Sequence, residues 1–208
     1  MLRSPPPQLV LASASAGRRA LFAAAGIDVS AEAPRCDETS ITAANPAATA
    51  LARAVAKAES LARAGAIVIG ADQVCHLDGR VFSKPADATE HRTQLRALRG
   101  YTHTLSNGVA VLHDGGEESW VTDVHVTLRD DLSDDEIDDY VAAGESRDCA
   151  GGYRVEALGA RLISRVDGDQ FAVVGLPLLE VITVLRRLGW RPAPLSHKPA
   201  SPLQGQHS

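Results

Sequence analysis

The sequence predicts an α/β fold, and three observations carry that expectation. Short apolar runs such as Leu9-Val10-Leu11 and Ile67-Val68-Ile69 alternate with alanine-rich or amphipathic stretches of helical character. Helix starts and stops bracket those stretches: Asn45-Pro46 and Ser133-Asp134-Asp135-Glu136 open two, and Gly26 and Gly144 close two. A chain of 208 residues, 45% apolar, can bury a sizeable core as one large domain or two small lobes. Aromatics make up only 4%, so Val, Leu, Ile and Ala must fill that core.

Taken in order, the first strand is Leu9-Val10-Leu11, followed by Ala12-Ser13-Ala14-Ser15-Ala16-Gly17-Arg18-Arg19 and a helical pattern over residues 20–25. Hydroxyls and guanidinium groups at a helix start suit phosphate, because exposed N–H groups and the helix dipole attract anions. Simple N-capping by Ser15 with a solvated Arg pair accounts for the same residues equally well. No G-x-x-x-x-G-K-[ST] occurs, so a P-loop is excluded. After a strand expected at 28–33, Cys36-Asp37-Glu38-Thr39 places two acids in a loop, as hard cation ligands or as surface charges of a turn. The helix opened by Asn45-Pro46 is expected to run to Gly65, with Lys57 on a solvated face when judged by position alone.

Residues 67–85 read IVIGADQVCHLDGRVFSKP. The β-branched run suits a buried strand, Gly70-Ala71 permits close approach, and Asp72 is expected at the strand end. Val74 to Leu77, an Asp78-Gly79 turn and Arg80-Val81-Phe82 form a tight hairpin, whose return delivers Ser83-Lys84-Pro85 toward Asp72. A polar helix starts at Asp87 and ends near Arg99-Gly100, with His91 expected to face water. Two long strands, 102–113 and 120–128, join across Gly115-Gly116, and a capped helix runs to about Ala143. In Cys149-Ala150-Gly151-Gly152-Tyr153-Arg154-Val155-Glu156 the glycines permit either a close ligand approach or a structural turn. A strand at 160–166, a turn at Asp167-Gly168-Asp169 and a final helix ending at Gly189 complete a single domain over 1–190. Residues 191–208, rich in Pro, Ser, His and Gln, read as a loose tail.

A formal charge of -5 argues against a nucleic-acid polymer as partner but leaves room for a small polyanion in a locally basic cleft. Cys36, Cys75 and Cys149 are odd in number and lack a C-x-x-C pair, which fits free thiols in a reducing cytoplasm. No run is long enough for a membrane span, and residues 1–7 lack the apolar core of a signal peptide. No membrane partner is expected.

LASASAGRR, CDET, the lysine of AVAKAESLA, GADQV, DGRVFSKP, CAGGY and VVGLPL occur in this order. Together they resemble the Maf family of nucleoside triphosphate pyrophosphatases from Leu9 to Gly189, and each alone would be weak. The resemblance implies an elongated mixed central sheet flanked by helices, with two lobes and a cleft, similar to inosine triphosphate pyrophosphatases. It implies hydrolysis of a nucleoside triphosphate between the α and β phosphates, yielding monophosphate and pyrophosphate, with a homodimer as the suggested assembly. Asp72 matches the family's proposed proton acceptor, and Ser13, Ser15, Arg18, Glu38, Lys57 and Lys84 match its phosphate- and metal-handling positions. This reverses the surface reading of Lys57. Glu38 and Asp72 are the candidate ligands of a divalent cation, Mg2+ or Mn2+.

Base preference in the family falls on Gly17, Gln73 and Glu156. Gln73 with Glu156 resembles the 7-methyl-GTP pyrophosphatase branch, a role in removing modified nucleotides, with dTTP/UTP or a broader modified-nucleotide activity as the alternative. A carboxylate at Glu156 can accept from guanine N1–H and N2–H and favours the positive charge of N7 methylation. That branch often carries an aromatic residue where this chain has Gly17, which offers no stacking surface. Two other classes remain open at this point. An aspartyl-phosphate phosphatase would use Asp72 as nucleophile, although GADQV lacks the second aspartate two residues on. A nucleotide-binding regulator of cell division or septum formation would need no turnover.

Overall fold

Local capping chemistry sets the helix starts. Ser15 accepts from the Arg18 N–H, Asn45 from Ala48 N–H ahead of Pro46, Asp87 from Thr89 and Glu90 N–H, and Ser133 and Glu136 close a reciprocal capping box. The computed structural model describes residues 7–146 and 149–192. In chain order they form β1 (Gln8–Ala12), α1 (Ala16–Ala24), β2 (Ser30–Glu32), α2 (Pro46–Glu59), β3 (Ala66–Leu77), β4 (Arg80–Phe82), α3 (Ala88–Leu98) and β5 (Thr102–His113). Then follow β6 (Gly116–Leu128), α4 (Asp134–Ala143), β7 (Ile163–Asp167), α5 (Gln170–Val173) and α6 (Leu178–Arg187).

The strands make one seven-stranded mixed sheet in the order β2-β1-β3-β5-β6-β7, with β4 also on β3. β1 is parallel to β2 and β3, and every other pair is antiparallel. This is the mixed central sheet that the sequence implies. Apolar clusters form at its two ends: Phe22, Val181 and Leu185 of α1 and α6 pack with Leu11, Ile69 and Val109, whereas Leu95, Leu98, Ile137 and Val141 of α3 and α4 pack with Leu105, Val124 and Val126. The long strands β3, β5 and β6 connect the two.

The edge of β3 is interrupted. β5 occupies one edge from Val68 to His76, so β1, paired to 66–70, and β4, paired to 75–77, must share the other. Residues 71–74 therefore have no strand on that side, a break of roughly 13 Å at about 3.3 Å per residue. Asp72 was expected at a strand end and lies instead mid-strand, within this break. The strand does not stop there because β5 continues to pair it through Asp72↔Gly108 and Gln73↔Asn107.

Glycine decides how closely α2 lies on the sheet. A Cβ on Gly70 would come within 2.1 Å of the Ala54 carbonyl oxygen, and one on Gly108 within 2.3 Å of the Ala50 carbonyl. Ala50, Ala54 and Ala58 form the i, i+4, i+8 row that the two strands meet, and all three are buried.

Other expectations are corrected. α2 ends at Glu59 rather than at Gly65, and residues 158–162 form a 3-10 turn, so β7 starts at Ile163 and not at residue 160. β6 starts at Gly116, four residues before Trp120, because Glu117, Glu118 and Ser119 still pair with β5. His91 does not face water: it is 1% exposed, its Nε2 lies 2.5 Å from the Gly152 carbonyl, and α3 packs over the Gly151-Gly152 turn. Most of the expected tail, 193–208, lies outside the described residues. Among those described, no helix is long and apolar enough to cross a membrane.

Gly70→Ala is expected to force α2 off the sheet and to cost about 1–3 kcal/mol or more, as overpacking of a tight core does. Denaturant unfolding measures it, and a variant as stable as the parent would contradict the close approach.

Candidate active site

Strand periodicity sends alternate residues of β3 to opposite faces, so Asp72 and Gln73 part company. Asp72 points to the face covered by α2. There Lys57 Nζ donates to Asp72 Oδ1 at 2.6 Å and also pairs with Glu38 Oε2. Lys57 is only 5% exposed, so the solvated-face reading drawn from its position does not hold. Four residues earlier on α2, Arg53 brings Nη1 to 3.8 Å from Asp72 Oδ2. Burial would push Glu38 up, but the hydrogen bond and charge of Lys57, with Lys84 and Arg18 beyond, hold it below the ordinary carboxylate value. Lys84, exposed just after β4, thus acts on Glu38 through space.

Arg18 ties the break together from the other side. Its Nε donates to the Gly175 carbonyl at 2.7 Å, and its Nη1 to the Ala71 carbonyl at 2.9 Å and to Ser13 Oγ at 3.4 Å. The Ala71 bond satisfies an acceptor that an unbroken sheet would have paired. Gly175, at φ 108°, leaves room for the guanidinium, since a Cβ there would sit 3.3 Å from Nη2. Burial lowers the Arg18 pKa, and the charges of Asp72 and Glu38 oppose that shift. Ser13 Oγ accepts from Ser15 N–H at 3.1 Å, while Arg19 turns outward to the Ala14 carbonyl. The apparent Arg pair of the sequence is thus one buried and one exposed residue.

The structure brings Ser13, Ser15, Arg18, Glu38, Lys57, Asp72 and Lys84 around the break in β3. Four cationic side chains surround two carboxylates in a chain whose net charge is -5. The arrangement can neutralise a polyanion and still present a carboxylate to it. Asp72 Oδ2 is buried without a hydrogen-bond partner among the described residues, an acceptor left for a water or a cation. Among the same residues no set of three metal-ligating side chains exists. Two carboxylates fit a Mg2+-type ion, which takes few protein ligands and completes its shell with water and phosphate.

The three positions expected to set base preference have other neighbours. Gln73 Nε2 is held by Asn107 Oδ1 at 3.1 Å and by the Ala172 and Val173 carbonyls at 2.9 and 3.2 Å. A Cβ on Gly17 would meet Val174 Cγ1 at 3.1 Å, so the valine fills the space that a side chain at 17 would use. Gly17 and Gln73 therefore meet on the α5 segment. Glu156 is paired with Arg154 at 2.9 Å and makes no hydrogen bond or ion pair with that segment among the described residues. Arg53 and Gly175 escaped the sequence reading. The spacing of four between Arg53 and Lys57 was the available signal for the first.

Lys57→Met leaves Asp72 and Glu38 without the cation between them and is expected to cost about 3 kcal/mol, the scale for breaking a buried pair. In a double-mutant cycle by denaturant unfolding, Asp72→Asn should recover part of that loss. Simple additivity would contradict the coupling.

The family model described as Maf-like protein matches residues 8–188. A 7-methyl-GTP pyrophosphatase of Cupriavidus metallidurans is 40% identical over 189 residues, spanning 88% of this chain and 94% of the relative. A dTTP/UTP pyrophosphatase of Moorella thermoacetica is 41% identical over 186 residues, spanning 88% and 95%. A HAM1 protein structure from Coxiella burnetii covers 87% of this chain and 99% of its own at a TM-score of 0.50 and 14% identity, a likeness of fold. With the family model spanning the sheet, the break in β3 and every residue around it, this chain belongs to the Maf-like protein family.

Proposed function

We propose that the protein is a nucleoside triphosphate pyrophosphatase cleaving the bond between the α and β phosphates. The observation that carries this reading is the Asp72 carboxylate, held on Oδ1 by Lys57 at 2.6 Å, with Oδ2 free of any hydrogen bond among the described residues and Arg53 beside it. Names borne by the relatives support the same reaction.

Asp72 Oδ2 takes a proton from water as the water oxygen bonds to the α-phosphorus. The α-phosphorus to bridging-oxygen bond breaks, and pyrophosphate leaves with the electron pair. Lys57 keeps Asp72 oriented for that proton transfer through its 2.6 Å bond to Oδ1. Lys84 and the N–H groups at the start of α1 hold the phosphate chain, and Arg18, already bonded to Gly175, Ala71 and Ser13, adds positive charge beside it. A divalent cation, Mg2+ or Mn2+, held through Asp72 and Glu38, would supply further charge neutralisation on the phosphates.

7-Methyl-GTP is the preferred substrate on this reading. Glu156 is anionic chemistry suited to a cationic purine, and it would share its carboxylate between Arg154 and the base. The placement of Gln73 makes it a support for α5, and through Val173 and Val174 for the surface beside Gly17. A dTTP/UTP activity is the second reading, favoured by the Moorella relative's name and by a Gly17 position with no stacking ring.

A panel of 7-methyl-GTP, GTP, UTP and dTTP with Mg2+ or Mn2+, assayed separately for pyrophosphate and orthophosphate, tests reaction and substrate together. Pyrophosphate is the expected product, fastest from 7-methyl-GTP, and Asp72→Asn should lower kcat by about 10²–10⁴-fold. Orthophosphate release, or normal turnover by the variant, would overturn the assignment.

A further inference from the structure

Arg53 is the cation at this site that the sequence motifs do not single out, and its surroundings give it a different geometry from the rest. Lys57 is consumed by Asp72 and Glu38, and Arg18 by two carbonyls and Ser13. Arg53 uses only Nε, which donates to the Ile41 carbonyl at 3.0 Å. Its Nη1 stands 3.8 Å from Asp72 Oδ2, within ion-pair range but too far for a hydrogen bond. Neither Nη1 nor Nη2 makes a hydrogen bond among the described residues, and the side chain is 25% exposed. A guanidinium anchored at one nitrogen, with its fork open beside an unpartnered carboxylate oxygen, is preorganised for a two-point oxyanion contact.

The reaction says which oxyanion. On the pyrophosphatase reading the attacking water lies against Asp72 Oδ2, and the leaving pyrophosphate departs on the opposite side, because attacking and leaving oxygens are roughly in line. A group beside Oδ2 thus faces the nucleophile's side of the phosphorus and reaches the non-bridging oxygens of the α-phosphate. On that in-line geometry the β and γ groups lie farther from it. Building on the pyrophosphatase reading, we propose that Arg53 is a further catalytic residue that binds a non-bridging α-phosphate oxygen and stabilises the charge it gathers during attack. Its bond to Ile41, one residue beyond the turn that carries Glu38, fixes the guanidinium in place.

The test compares wild type, Arg53→Ala and Arg53→Lys on the natural triphosphate and on the Rp and Sp α-thio diastereomers, with pyrophosphate as a product inhibitor. Arg53→Ala should lower kcat by about 10²–10³-fold, the scale for losing one preorganised donor. The Ki of pyrophosphate should change less than twofold. Wild type should discriminate between the diastereomers, and Arg53→Ala should lose most of that discrimination. Arg53→Lys, which keeps the charge without the fork, should fall between them and serves if the alanine variant does not fold. Unchanged diastereomer preference in a folded variant, or a kcat loss confined to lowered melting temperature, would reduce Arg53 to an anchor of the Ile41 loop and overturn the proposal alone. A wild-type protein that releases no pyrophosphate from any triphosphate would overturn the pyrophosphatase reading and the Arg53 assignment with it.

Discussion

The contact between α2 and two glycine-bearing strands is the constraint on which the site depends. Gly70 and Gly108 let the helix backbone touch the sheet, and the alanine row of α2 supplies the matching flat surface. That approach places the helix face carrying Arg53 and Lys57 directly over Asp72. Had either strand position carried a side chain, the helix would stand farther out, and the 2.6 Å bond from Lys57 to Asp72 would be lost. A buried ammonium between two carboxylates is costly to assemble and gives little net stability by itself. Here it fixes the direction of one carboxylate and leaves its buried second oxygen without a hydrogen bond among the described residues.

The interrupted edge of β3 supplies the other half. A continuous sheet would have paired the backbone at residues 71–74. With β1 ending and β4 not yet begun, those residues face an opening flanked by the start of α1 and by the Ser83-Lys84-Pro85 return. Arg18 bridges the opening by bonding Ala71 and Gly175, so the break is held by a buried cation and not by strand pairing. The positive local balance arises from this topology, although the chain as a whole is acidic.

Much of this was legible in the sequence where the signal was local. The caps of α1, α2, α3 and α4, the Asp78-Gly79 hairpin with φ values of 50° and 81°, and the paired strands around Gly115 follow from neighbouring residues. What was not legible depends on partners distant in the chain. The position of Asp72 in mid-strand requires β5 to continue past it, and the burial of His91 requires the Gly152 turn to pack on α3. The failed strand at 160–162 has a nearer cause: Gly159 is packed on Arg154, where a Cβ would meet its carbonyl oxygen at 2.4 Å, and the segment turns in 3-10 form. Gly17 and Gln73 were readable as residue types but not as neighbours through α5.

In the proposed reaction water attacks the α-phosphorus under the direction of Asp72. Turnover in ¹⁸O-labelled water reads this most directly, by mass analysis of both products. One ¹⁸O is expected in the nucleoside monophosphate and none in the pyrophosphate. Label in the pyrophosphate would show attack at the β-phosphorus and would contradict the role given to Asp72 and the cations around it.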